Sequence, residues 1–319
     1  MLINSILHLN YSPLWPITSN IKMNSNLLTL FFILTFAGCG TSASLNQSGE
    51  RNKSSQNPFG TTYKMPERGL CAHRGAMATH PENTLPAFFS AIEAGAHMIE
   101  FDVALTIDGK MVVIHDATVD RTTDGTGRVD ELTLEEIKKL DAGSWKSPEF
   151  AGEPIPTLNE VLEIMPGNVW LNVHLKGNDF LGSMVAEKIR DHGRLHQAFI
   201  ACGAGAAEKA RIAVPGVMIC NMDRREKNID YVNETIERNN EFIQLRGAVY
   251  PEFVVYTELL RESGVRINYF GTDDPDMIRT LFELGIDFPL VDDIVNSIEV
   301  AKNLGIKPII PMYKYNGSY

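Results

Sequence analysis

His73, Arg74, Glu100, Asp102 and His115 each stand where an apolar run gives out. Leu70-Cys71-Ala72 leads into His73-Arg74-Gly75, His97-Met98-Ile99 into Glu100-Phe101-Asp102, and Met111-Val112-Val113-Ile114 into His115-Asp116. Glu100 and Asp102 are two apart, so in a strand both side chains face the same way. Two carboxylates held together repel, and a hard divalent cation between them removes that cost. His73 and His115 change protonation near neutral pH, as an acid–base pair must. Arg74 presents a planar fork of donors that suits a phosphate. Taken singly, these residues have blander readings: a hydrogen-bonded histidine, a solvated acidic strand face, a surface ion pair. Taken together and in this order, they describe metal-assisted phosphoryl transfer.

Such groups converge only if the apolar runs are parallel strands whose C-terminal ends meet. In a barrel of parallel strands that is where catalytic groups cluster. Strand-like and helix-like segments do alternate along the chain, as βα units require. Leu85, Phe88, Phe89 and Ile92 recur at helical spacing and predict a helix over 83–94. Helices are also expected over 132–140 and 158–165, the capping Thr133 and Thr157 being followed three residues on by Glu136 and Glu160. Later strands are expected over 169–174, 198–201, 217–220, 242–245, 266–270 and 288–291. With the first three runs this is one more than an eight-stranded barrel takes, and 242–245 or 288–291 is the candidate surplus. Residues 116–157 form the longest gap between strands. Its Arg121–Gly127 cluster reads as tight turns, and the stretch is expected to fold over the barrel top and help wall the site, the alternative for Arg121 and Trp145 being a packed turn without substrate contact. The fold expected is a single-domain α/β TIM-type (β/α)8 barrel over 65–319, close to the ~250 residues typical of that architecture.

Several longer motifs accompany these residues: Pro81-Glu82-Asn83-Thr84, Asp108-Gly109, Arg121-Thr122-Thr123-Asp124-Gly125-Thr126-Gly127, Leu140-Asp141-Ala142-Gly143-Ser144-Trp145 and Ile155-Pro156-Thr157-Leu158-Asn159-Glu160-Val161. With His73-Arg74-Gly75, Glu100-Phe101-Asp102-Val103 and His115-Asp116, the sequence over about 70–176 resembles the glycerophosphodiester phosphodiesterase family. The resemblance implies a TIM-type barrel that hydrolyses glycerophosphodiesters to glycerol phosphate and an alcohol with one divalent cation. It implies His73 and His115 as the catalytic pair, Glu100 and Asp102 as metal ligands, and Arg74 on the phosphate. Glu82 would line the site near the metal and His73, and Lys176 would be a second phosphate or metal-shell contact. The family reads Glu-x-Lys at the end of the fourth strand, whereas this chain reads His174-Leu175-Lys176. His174 is therefore expected as the third metal ligand, the alternative being a hydrogen bond to Glu100 or the phosphate. The late family motif Trp-Thr-Val-Asn is replaced by Phe270-Gly271-Thr272-Asp273, and the last strand closes on Val291-Asp292. Other readings are a phospholipase D-like enzyme on lipids or lysolipids, and a non-catalytic protein that binds phosphate ligands.

The chain has 319 residues and a formal net charge of −11, which argues against a nucleic-acid partner. A small anionic ester suits an Arg/Lys site in such an acidic shell. Residues 27–37 form an apolar run too short for a comfortable membrane span, and Gly38-Cys39 and a Ser/Asn/Gln-rich stretch follow it. The run resembles a bacterial lipoprotein signal, so 1–39 is expected to be a leader (its true start at Met23) and 40–64 a flexible tether. Lipidated Cys39 would hold the protein to a membrane of the cell envelope; the alternative is a secreted protein with a plain signal peptide. Four cysteines are too few for a disulfide scaffold, and a Cys202–Cys220 bridge is a possibility that strand-end separation works against.

Overall fold

The computed structural model describes residues 63–249 and 252–313. Eight parallel strands close on one another: β1 (Cys71–Ala72), β2 (Met98–Leu105), β4 (Trp170–Leu175), β5 (Ala198–Cys202), β6 (Met218–Asn221), β7 (Phe242–Arg246), β8 (Arg266–Phe270) and β9 (Phe288–Val291). β1 pairs with both β2 and β9, which shuts the barrel. The remaining strand, β3 (Met111–Val113), pairs antiparallel to the end of β2 and lies outside the ring. The surplus strand is thus β3, and both 242–245 and 288–291 are barrel staves. The correction has a local cause. Thr106 to Lys110 forms a tight turn, with Thr106 bonded to Asp108 at 2.6 Å and Gly109 at φ 70°. So short a link permits a hairpin, whereas a parallel neighbour needs a crossover of a dozen residues or more.

Alternation of side chains sorts the staves into two cores. Ile99, Phe101 and Val103 of β2 face outward and pack with Phe88 and Ala91 of α1 (Leu85–Ala94). Met98, Trp170, Phe199, Phe242 and Phe288 face inward and plug the barrel floor, with Phe199 and Phe242 stacked at 3.8 Å. Inward positions above that plug carry polar groups, which is why hydrophobic periodicity continues on the outer face alone.

The other helices are α2 (Leu134–Ile137), α3 (Leu158–Ile164), α4 (Phe180–Asp191), α5 (Ala204–Ala213), α6 (Asn228–Glu237), α7 (Phe253–Glu262), α8 (Pro275–Glu283) and α9 (Ile294–Asn303). Both expected capping boxes form, Thr133 with Glu136 and Thr157 with Glu160; each cap contributes about 1 kcal/mol. The first of these helices is shorter than the expected 132–140: Thr133 caps its start and Lys138 its end. Among the described residues no helix is long and apolar enough to cross a membrane.

Cys202 and Cys220 are free, buried thiols. Cys220 is opposite Ala201 in the ladder and points inward, while Cys202 is opposite Asn221 and points into the helix layer. Side chains on opposite sheet faces cannot bridge without backbone movement, so no disulfide forms between them. The leader and most of the tether, including Cys39, lie outside the described residues.

Candidate active site

The local fold of the His73-Arg74-Gly75 turn starts the site. Arg74 adopts φ 52°, uncommon for a side-chain-bearing residue. That conformation aims the Arg74 backbone N–H at Glu100 Oε2, 3.1 Å away. Gly75 follows at φ 80°, and a Cβ there would meet the Ala87 backbone at 2.8 Å. Only glycine therefore lets the turn lie against α1.

Strand register gathers the next groups. Asp102 is directly opposite His174, and Glu100 opposite Asn172, across β2 and β4. Glu100 and Asp102 are buried, as same-face strand residues pointing into the barrel. His174 Nδ1 lies 3.2 Å from Asp102 Oδ1 and 3.6 Å from Glu100 Oε1. Lys176 Nζ sits 3.3 Å from Asp102 Oδ1. Asn83 holds the other side of this carboxylate: its Nδ2 donates to Asp102 Oδ2 at 2.9 Å, and its Oδ1 accepts from the Asp102 backbone N–H. Burial opposes ionisation of Asp102, yet the adjacent His174 imidazole and the nearby Lys176 charge hold its carboxyl far below the usual range. Burial likewise opposes the charge on His174, and the closeness of the Asp102 and Glu100 carboxylates overrides it, raising the imidazole pKa.

Three of these residues fit a metal ion. Glu100, Asp102 and His174 each offer one ligand atom, and the three atoms lie within 4.8 Å of one another. Asp102 Oδ1 is buried and accepts no hydrogen bond of proper geometry. A buried carboxylate oxygen without a donor is costly, and a cation among these three groups would satisfy it. Two hard oxygens and one imidazole form a mixed donor set, compatible with several divalent ions.

Each histidine is oriented by a carboxylate. His73 Nδ1 is hydrogen-bonded to Asp292 Oδ1 at 2.7 Å, leaving Nε2 toward Glu100 at 3.9 Å. Burial opposes the charge on His73, but the Asp292 bond and the Glu100 charge prevail and raise its pKa. The Phe270 ring packs edge-on against His73 at 5.1 Å. His115 Nδ1 is bonded to Asp116 Oδ1 at 2.6 Å. His115 arrives from the β3 hairpin rather than from a barrel stave. Ile114, just before it, donates its N–H to the Asp102 carbonyl, so the hairpin returns the histidine to the mouth.

Glu82 and Arg121 brace this arrangement. Glu82 is buried and accepts from Arg74 Nη1 at 2.8 Å and from both Nη atoms of Arg121 at 2.8 Å. Arg121 also donates Nε to Asp116 at 2.6 Å. The chain Arg74–Glu82–Arg121–Asp116–His115 thus links the two histidine-bearing turns. The turn-rich segment touches the site through Arg121, whereas the Trp145 indole N–H donates to the Ala142 carbonyl beneath it.

His73, Arg74, Glu100, Asp102, His115 and His174 all line one cavity of about 150 Å³ at the barrel mouth. Glu82 sits behind Arg74, and Lys176 behind Asp102; neither lines that cavity. The rest of its lining is Met222, Arg224, Gln244, Arg246, Phe270 and Leu290. Asn83, Asp116, Arg121 and Asp292 stand in the motifs quoted above, but no individual role is read for them from the sequence, nor for Arg224 and Arg246. Asp292 and Arg246 could have been found by the same rule that found Glu100, since each stands at or just past a strand end. Asn83 and Arg121 act from turns, so no strand-end position marks their individual roles, although Arg121 lies in the stretch expected to wall the site.

A family model described as the glycerophosphoryl diester phosphodiesterase family matches residues 73–296. A glycerophosphodiester phosphodiesterase of Caldanaerobacter subterraneus subsp. tengcongensis is 54% identical over 121 residues, covering 38% of this chain and 50% of that protein. The chain thus spans about half the length of that curated relative. The enzyme of the same description from Bacillus altitudinis is 27% identical over 243 residues, covering 74% of this chain and 98% of that protein. Among solved structures, an Oleispira antarctica phosphodiesterase in complex with the product sn-glycerol-3-phosphate superimposes with a TM-score of 0.66. It is 26% identical, covering 75% of this chain and 97% of the other. The Agrobacterium tumefaciens glycerophosphodiester phosphodiesterase gives 0.64 at 28% identity, covering 73% and 99%.

Proposed function

Because the chain belongs to the glycerophosphoryl diester phosphodiesterase family, we propose that it hydrolyses glycerophosphodiesters to glycerol phosphate and an alcohol by two-histidine acid–base catalysis. The observation that carries this reading is the group of buried Glu100 and Asp102 with half-buried His174, opening into the same cavity as His73 and His115. The product complex of the Oleispira relative favours a glycerophosphoryl half as the part retained.

Glu100, Asp102 and His174 would hold the divalent cation, with Lys176 against the same carboxylate. When bound, the cation supplies Lewis-acid polarisation of the phosphoryl oxygens and offsets charge in the transition state. Arg74 turns toward the phosphate from a guanidinium already fixed by Glu82, so little ordering is required on binding. His73 and His115 move the protons: one takes a proton from the attacking hydroxyl and the other returns one to the departing oxygen. Asp292 and Asp116 fix the ring orientation and tautomer of each, as orienting carboxylates do elsewhere.

Turnover of a panel of glycerophosphodiesters, lysolipids and cyclic phosphates, with and without chelator and across a series of divalent ions, tests this reading. Glycerophosphodiesters are expected to be cleaved, chelator to abolish cleavage, and added metal to restore it. Full activity in chelator would remove the metal from the scheme. No phosphodiester cleaved with any ion would favour a binding protein. We also propose that Cys39 carries the lipid that tethers the barrel to the cell envelope, on the strength of the apolar run and Gly38-Cys39 before a polar stretch.

A further inference from the structure

The cations around the mouth fall into two kinds. Arg74, Arg121 and Lys176 are each within 3.4 Å of a carboxylate: Arg74 of Glu82 and Asp102, Arg121 of Glu82 and Asp116, Lys176 of Asp102. Arg224 and Arg246 are not. Among the described residues neither has a carboxylate within the 4.0 Å ion-pair distance. Asp223, next to Arg224 in sequence, is already engaged by Arg238. The Nε of Arg224 is buried without a hydrogen-bond partner, and its guanidinium touches only the Met222 sulfur, at 4.0 Å. A half-buried guanidinium without an anion is an expensive feature to keep. In a chain of net charge −11 it is also an unusual one.

The topology says where these two charges stand. Around the closed ring the order is β1-β2-β4-β5-β6-β7-β8-β9, so β6 is diametrically opposite β1, and β7 opposite β2. Arg246 ends β7 on the inward face that Phe242 and Gln244 share, across the mouth from Glu100 and Asp102. Arg224 follows β6, across from His73 and Arg74. Both line the cavity that the carboxylate–histidine group lines. A phosphodiester carries one negative charge, and the near side already meets it with Arg74 and the cation-binding group. Arg224 and Arg246 are surplus to that charge.

We infer that Arg224 and Arg246 form an anion subsite facing the alcohol half of the substrate, so that the preferred glycerophosphodiester is one whose alcohol bears its own carboxylate or phosphate. The inference rests on the phosphodiesterase reading above and narrows it to a substrate class. Arginine suits either anion, because its fork of donors matches both geometries. A cationic alcohol such as choline would face like charge across a partly desolvated cavity and is disfavoured.

The test uses the full chain with its activating metal and three glycerophosphoryl esters of similar size, made with 3-hydroxypropionate, propanol and choline. The readout is the ratio of kcat/KM for the anionic ester over the neutral one, which cancels any loss of folded protein. Wild type is expected to favour the anionic ester by about 10-fold or more, and Arg224→Gln/Arg246→Gln to lose most of that preference, as loss of charge-assisted bonds implies. A wild type without preference overturns the inference. So does a double variant that slows all three esters alike, which would place the arginines on the scissile phosphate. If no ester turns over, the phosphodiesterase reading fails by itself, and calorimetric binding of the same esters decides the subsite. Tighter binding of the anionic ester by wild type alone upholds it, and equal binding in both proteins overturns it.

Discussion

His73 and Asp292 come from the two ends of the barrel domain, yet their side chains meet at 2.7 Å because β1 and β9 are neighbours in the closed ring. Closure of the barrel therefore orients a proposed catalytic histidine. His73→Ala and His115→Ala should each lower kcat by roughly 10²–10⁴-fold, the range for a general acid or base. Asp292→Asn should lower kcat less than His73→Ala, with little change in KM, since it disturbs orientation alone. Steady-state kinetics with circular dichroism as a folding control decide the matter. A histidine variant with near wild-type turnover would be structural, and the two-histidine scheme would be wrong.

His174, as the proposed third metal ligand, would supply an imidazole where the family resemblance implies an oxygen. Imidazole suits later transition ions, whereas magnesium and calcium prefer oxygen. Wild type is expected to work best with a transition ion, and His174→Glu to shift toward magnesium or calcium. The measurement is activity of metal-stripped protein across an ion series. Superimposable ion profiles for the two proteins would show that His174 does not select the metal.

The Glu82–Arg121–Asp116 brace should be sensitive to acid. The Arg121 hydrogen bond holds Asp116 at about 2, below the ordinary 3.8. Glu82 is also lowered: burial opposes its charge, but Arg121 and Arg74 outweigh that. Carboxyls depressed on folding stabilise the native state above their unfolded pKa and lose that contribution as pH falls through the folded value. The brace therefore contributes fully above about pH 4.5 and fades toward pH 2. Arg121→Ala should cost roughly 1–2 kcal/mol at pH 7, discounted for the exposed half of the arginine. Urea unfolding of both proteins from pH 7 to pH 3 should show the gap narrowing; a constant gap would mean the loss is packing rather than charge.

The three barrel thiols should be inert at neutral pH. Burial pushes Cys202 up to about 12, and Cys71 and Cys220 are raised as well. The thiolate is the reactive form, so alkylation of native protein at pH 8 should leave all three unmodified until denaturant is added. Peptide mass spectrometry reads this directly. Rapid native labelling of any of them, or a linked Cys202–Cys220 peptide, would contradict the buried, unbridged arrangement.

Cys39 carries the proposed tether. Wild type is expected in the membrane fraction and Cys39→Ser in the soluble one. A single acyl chain binds only marginally, so stable anchoring needs the several chains of a mature lipoprotein. If both proteins fractionate as soluble, a cleaved signal peptide replaces the lipoprotein reading.

Much of this site was legible in the chain because its information is local. Glu100 and Asp102 share a face by the two-residue period of a strand, and both capping boxes form from their own four residues. Apolar runs that end in polar groups marked His73, Arg74 and His115, and all three line the cavity. What depends on which strand lies beside which was decided by the tertiary structure. The sequence carries β3 as an apolar run like the others, but only pairing with β2 shows it to be a hairpin outside the ring. His174 meets Asp102 through the β2–β4 register. Asp292 reaches His73 through ring closure, Arg246 faces the carboxylates because β7 stands opposite β2, and Arg224 faces His73 because β6 stands opposite β1. Side-chain period is a property of neighbouring residues, whereas register, closure and opposition are set by long-range packing of the whole barrel, which no short window of sequence contains.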